Sequence, residues 1–197
     1  QGMVASSVVP VGGDLWHIGT TTPPPPSPVN AALCQNDLGT YNGGMLNYLI
    51  SPPITLPASG DIRANFMVRG DLYGSSALFP NCDYFGWEIS VNGGTTWYAM
   101  SNPYNDPTGS NYVYLITSDQ MWYSMTDVYD GVDGYISDYA GNTVQFRIWV
   151  KSIDHDPTGY EGLMIDNFVV YHSEYLPVPG NLTAEVVEQE VQLSWSA

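Results

Sequence analysis

Basic side chains are nearly missing from this chain: 4 Lys and Arg stand against 20 Asp and Glu, a formal net charge of −16 in 197 residues. Such a surface repels nucleic acid and anionic membrane, so neither is an expected partner. It suits solubility outside cells or the binding of cations, and a plainly acidic secreted surface accounts for the charge equally well. No apolar run approaches the ~20 residues of a membrane span, so no membrane insertion is expected. No segment has a helical hydrophobic period. The three histidines, His17, His155 and His172, are scattered, and neither His-Glu-x-x-His nor Gly-x-Ser-x-Gly occurs. With so many acids a glycosidase-like carboxylate pair could exist, but nothing singles one out. No enzyme is expected. Cysteine is scarce too. Cys34 and Cys82 are an even pair in a chain whose composition fits export, so a disulfide between them is the expectation and two isolated buried thiols the alternative. The chain starts at Gln1, as a processed mature N-terminus or a trimmed chain does.

What the sequence has in plenty is strand. Ile62, Ala64, Phe66 and Val68 alternate with Asp61, Arg63, Asn65, Met67 and Arg69; Val144, Phe146, Ile148 and Val150 alternate with Gln145, Arg147, Trp149 and Lys151. A period of two sends one face of each strand into a core and the other toward solvent. Asn92-Gly93-Gly94 supplies the positive φ angles of a tight hairpin. Pro52-Pro53 ends a strand that starts near Met45, because proline has no N–H for the ladder. Thr20 to Pro28, TTTPPPPSP, favours a stiff extended surface loop. The spacing of strand-length runs and turn clusters is that of an all-β sandwich or barrel.

The division expected is an N-terminal segment over residues 1–13, a sandwich over 14–175, a linker over 176–180 and a strand segment over 181–197. The tail, with Asn181-Leu182 and then Val191-Gln192-Leu193-Ser194-Trp195, resembles the opening two strands of a fibronectin type III domain. A whole domain of that type needs roughly 90–100 residues.

The main body, from about Trp16 to Tyr171, carries an ordered set of phrases. They are Trp16-His17-Ile18, Ala32-Leu33-Cys34, Gly39-Thr40-Tyr41, Leu49 to Ile54, Asp83-Tyr84, the WEISVNGGTTW of Trp87 to Trp97, the DYAGNTVQFRIWV of Asp138 to Val150, and the GLMIDN of Gly162 to Asn167. This set resembles the MAM-like jelly-roll domains of bacterial secreted proteins, of the cleaved-adhesin and immune-inhibitor-A accessory type. The resemblance implies a jelly-roll β-sandwich, a secreted or cell-surface location and a role in binding rather than catalysis. Such domains open with an acidic strand, whereas MVASSVVPV stands here and no carboxylate precedes Asp14. The first strand is therefore unusual, or missing and replaced by another.

The resemblance also implies a structural Ca²⁺ held by Asp166 and Asp83, with oxygens from the early loop at Asn36 or Asp37. Calcium takes six to eight oxygen ligands, which loops of this kind supply. A bare carboxylate at Asp166, between Ile165 and Phe168, is costly to desolvate and needs a cation, an Arg or water. The resemblance also brings Cys34 and Cys82 to one end of the sandwich. Two further acid groups, Asp127 with Asp130, Asp133 and Asp138, and Asp154 with Asp156 and Glu161, read as solvated loops.

The four cations Arg63, Arg69, Arg147 and Lys151 fall, with Trp149, on the outward faces of just two strands. Neighbouring strands in one sheet would make these residues a ligand or partner patch, taking a sugar or an acidic group. Cross-strand salt bridges are the plainer explanation. The function expected is that of a non-catalytic adhesive or binding module at a cell surface, with a protein or glycan partner. One alternative is a subunit of an extracellular filament or tube that self-assembles by β-strand donation. Another is a glycan-binding module beside an absent catalytic domain.

Overall fold

The computed structural model describes residues 3–5, 13, 15–27, 29–73, 83–100, 121–128, 134–153, 159–173, 180–187 and 190–196. The strands in chain order are β1 Val4–Ala5, β2 Trp16–Gly19, β3 Ala31–Cys34, β4 Leu46–Ile50, β5 Ile54–Thr55, β6 Asp61–Asp71, β7 Tyr84–Ser90, β8 Tyr98–Ala99, β9 Tyr123–Ser124, β10 Thr143–Lys151, β11 Gly162–Ser173, β12 Gly180–Val187 and β13 Glu190–Ser196.

Two antiparallel sheets form a β-sandwich. The first sheet runs β1-β4-β10-β7-β8, with β5 also paired to β10; the second runs β2-β3-β11-β6-β9. The two alternating runs legible in the sequence supply one central strand to each sheet. Ile62, Ala64, Phe66 and Val68 of β6 are wholly buried, and so are Phe146, Ile148 and Val150 of β10. Their inward faces meet in an aromatic seam. Phe66 meets Trp87 edge-on at 5.2 Å, Trp87 stacks with Phe146 at 6.4 Å, and Phe146 tilts against Phe168 at 5.1 Å. Each such burial contributes about 1.5–3 kcal/mol, so this seam is a principal source of sandwich stability.

The Asn92-Gly93-Gly94 turn joins β7 to β8 as the sequence requires, with φ of 67° at Gly93 and 85° at Gly94. Ser90 Oγ accepts from the Gly94 N–H at 3.0 Å, and Asn92 Oδ1 from the Thr96 N–H at 2.8 Å. Gly70 and Gly162 set how closely β6 approaches β11. A Cβ on Gly70 would lie 2.1 Å from the Gly162 carbonyl oxygen. One helical turn, Met125–Val128 (α1), and a 3₁₀ turn at Ser137–Tyr139 are the helical pieces among the described residues, and the fold is all-β as expected. Met125 is wholly buried, which anchors the first of these turns.

β12 and β13 pair only with each other, as a two-stranded sheet, among the described residues. Their register runs from Gly180↔Ser196 to Val187↔Glu190.

Candidate functional site

The five residues expected to form one patch are split between the two sheets. Arg63 and Arg69 belong to β6 in the second sheet; Arg147, Trp149 and Lys151 belong to β10 in the first. The two strands are therefore not neighbours, and one continuous patch is ruled out. Period two identifies outward-facing residues correctly but says nothing about which sheet owns a strand.

On β6 the arginines serve the fold. Arg69 is 2% exposed. Its Nη2 donates to both Glu161 carboxylate oxygens, at 3.0 and 3.2 Å, and its Nη1 donates to the Pro23 carbonyl at 3.2 Å. It thereby fastens the proline-rich loop across the outer face of the second sheet. Beneath that face a small apolar cluster of Ala31, Leu33 and Met164 packs with Trp122. Arg63 pairs with Asp61 at 3.1 Å and lies 5.9 Å from the Tyr135 ring.

On the first sheet the register builds a grid. Arg147 lies between Ile50 and Glu88, Trp149 between Tyr48 and Gly86, and Lys151 between Leu46 and Tyr84. The inward neighbours of these residues, Asn47, Leu49, Phe85, Trp87, Ile148 and Val150, are buried, so the grid is the outward face. The Arg147 guanidinium pairs with Glu88 and lies 4.9 Å from the Tyr48 ring and 4.5 Å from the Trp97 ring. Trp149 meets Tyr84 edge-on at 5.7 Å, and Lys151 Nζ stands 5.8 Å from the same tyrosine ring. Glu88 balances Arg147, so Lys151, which is exposed, carries the net positive charge of the grid. Tyr48, Tyr84, Glu88 and Trp97 were not legible as site residues in the sequence. Their signal is the strand register, which only the paired sheet supplies.

The residues expected to share a calcium ion are not brought together. Asp83 is wholly buried. Its Oδ2 accepts from the Tyr41 hydroxyl at 2.5 Å and its Oδ1 from the Ile153 N–H at 2.8 Å. Asp166 accepts from the Ser27 N–H and the Ser27 hydroxyl, each at 2.7 Å. Asp83 bonds the Tyr73 carbonyl, just past the Asp71↔Gly162 pair, whereas Asp166 pairs with Met67, four residues back along β6. At ~3.3 Å per strand residue that offset is about 13 Å, far beyond any shared coordination sphere. Asn36 Oδ1 accepts from the Leu38 N–H at 2.9 Å and the Thr40 hydroxyl at 3.2 Å, closing a turn in which Asp37 is exposed. No group of three or more His, Cys, Asp or Glu arranged to hold a metal occurs among the described residues.

Cys34 is wholly buried on β3. Cys82 lies outside the described residues, as do Asp130, Asp133, Asp154 and Asp156. Burial, and then repulsion by Glu161, raise the Asp71 carboxyl above its ordinary value. Burial and the bond to Asp83 push the Tyr41 hydroxyl far up.

A cavity of about 620 Å³ opens between the sheets, lined by Met3, Ile18, Leu49, Ile54, Phe168 and Val170, with Asp166 and Asn167 also on its wall. Among its described lining residues, Asp166 is the one titratable side chain. No family model matches this chain, and no curated protein matches it.

Proposed function

We propose that this chain is a non-catalytic binding module of a secreted bacterial protein. Its ligand, a protein or glycan at a cell surface, is met on the outward face of the first sheet. One observation carries the reading: Tyr48, Trp149 and Trp97 stay half-exposed on a strand face with Arg147 held among them and Lys151 beside them. Aromatic faces stack on sugar rings or apolar side chains, and a guanidinium fixed by Glu88 and two rings is already ordered before a ligand arrives. On the second sheet Arg69 is buried under the proline loop, and Arg63 is paired with Asp61 beside the exposed rings of Tyr135 and Tyr171. The resemblance to adhesin-type jelly rolls supports the same reading.

The test is binding of the whole chain to a glycan array and to extracted cell-surface protein, with Trp149→Ala and Lys151→Ala compared. The expected result is a loss of at least about tenfold for Trp149→Ala with the circular dichroism unchanged. Removing an interfacial aromatic commonly costs 2 kcal/mol or more at a hot spot. Binding that survives both substitutions rejects this face.

A further inference from the structure

We infer that the groove beside β11 accepts β13 from a second copy of this chain, joining copies head to tail. β3 pairs with β11 only at Leu163, Met164 and Ile165. Past the bulge between Asp166 and Val169, β11 continues to Ser173 with β6 as its one strand neighbour among the described residues. Among the described residues, Val169 to Ser173 thus present an open ladder edge, and such an edge is a template for another strand.

The groove along that edge carries apolar side chains on both walls, with Asn30, Ser51, Asp166 and Asn167 among them. Leu49 and Ile54 come from the first sheet, Phe168 and Val170 from the second, and the opening measures about 620 Å³. Ile18, on its wall, is 68% exposed. A strand laid against β11 would send alternate side chains into this space.

The same chain owns a strand to match. β13 spans seven residues, enough to cover the regular stretch of β11 from Val169 to Ser173. Its sequence, EVQLSWS, alternates Val191, Leu193 and Trp195 with Glu190, Gln192 and Ser194. Among the described residues it pairs with β12 alone, and a two-stranded sheet by itself is marginal in water. Among the described residues, then, the β11 edge offers an acceptor and β13, paired on one side only, a donor. A contact between different surfaces of identical copies is heterologous, so it propagates into rings or filaments. The net charge of −16 opposes this association, so salt strengthens it. The inference does not depend on the ligand face of the first sheet.

The experiment uses the full chain in analytical ultracentrifugation, over a concentration series in 0.5 M NaCl. Ile18→Glu damages the acceptor alone, at an exposed position that leaves the core intact. Leu193→Glu damages the donor alone. The full chain is expected to form a ladder of oligomers, and each variant by itself to stay monomeric. An equimolar mixture of the two variants should stop at the dimer, because one intact donor meets one intact acceptor and nothing remains to propagate. Circular dichroism establishes that both variants stay folded. A full chain that is monomeric across the series, variants that still assemble alone, or a mixture that stays monomeric overturns the inference.

Discussion

The Tyr41 hydroxyl donates to the buried Asp83 carboxylate at 2.5 Å while accepting from the Tyr73 N–H at 2.7 Å. Asp83 in turn accepts from the Ile153 N–H, and its own N–H donates to the Tyr73 carbonyl at 2.9 Å. One phenol and one carboxylate thus clasp the exits of β6 and β10 to the entry of β7. Tyr41→Phe leaves Asp83 with one donor fewer and orphans the Tyr73 N–H. It should cost about 2 kcal/mol, read as a fall in Tm of about 4–8 °C at this chain length.

The same residue carries a pH signature. Burial, then Asp83, raise the Tyr41 pKa, so the folded chain keeps a proton that the unfolded chain releases above about pH 10. Folded protein then binds more protons than unfolded, and stability falls as pH rises past that point. Tyr41→Phe should show a shallower alkaline loss of Tm than the parent. Tyr139, also raised by burial and then by its acidic neighbours Tyr98 and Asp138, leaves some slope in the variant.

Asp71 gives a signature at the acid end. Its carboxyl is raised by burial and by Glu161, so its charged form opposes folding. Its contribution is present below the ordinary value of 3.8 and is lost as pH climbs through the raised one. At pH 7, Asp71→Asn should therefore raise Tm slightly, the effect being reduced by solvent screening, and should give nothing at pH 3. Thermal melts at the two pH values check this.

Arg69→Met keeps the packing of the stem and removes the fork that grips Glu161 and Pro23. Loss of one partner in a buried ion pair costs about 3–5 kcal/mol. The Glu161 side chain is 29% exposed and can turn to water, so the expected cost is nearer about 2–3 kcal/mol. Limited proteolysis should then cut within the proline-rich loop, at residues 20–28, earlier than in the parent.

Chelation tests the carboxylates. Asp83 and Asp166 each find two donors within the protein, which offsets the desolvation that otherwise called for a cation. EDTA should leave Tm unchanged, whereas Asp166→Ala, which removes both acceptors of the half-buried Ser27, should cost about 1 kcal/mol. A Tm that falls with EDTA and returns with calcium would restore a metal to one of these sites.

Much of the fold was legible because burial writes itself into period two. Ile62 to Val68 and Val144 to Val150 are core strands as read, and Asn92-Gly93-Gly94 is the turn as read. The candidate site was legible only in pieces. Arg147, Trp149 and Lys151 do share a face, but Arg63 and Arg69 do not join them, since sheet membership depends on pairings remote in sequence. Asp166 was correctly singled out as needing a partner. The partner, Ser27, sits 139 residues away in a loop with no hydrophobic pattern to announce it. Tyr41 escaped notice because a tyrosine beside a turn reads as an ordinary strand residue.

The proline loop pinned by Arg69 takes one end of the outward face of β6 out of use. An engineer seeking new specificities should diversify Tyr48, Glu88, Arg147, Trp149 and Lys151, where replacements alter what the first sheet touches. The Arg69 end of β6 is a poor place for a library. There a change at Arg69 or Gly70 acts on the loop or on the β11 backbone, and selection would return folding defects in place of binders.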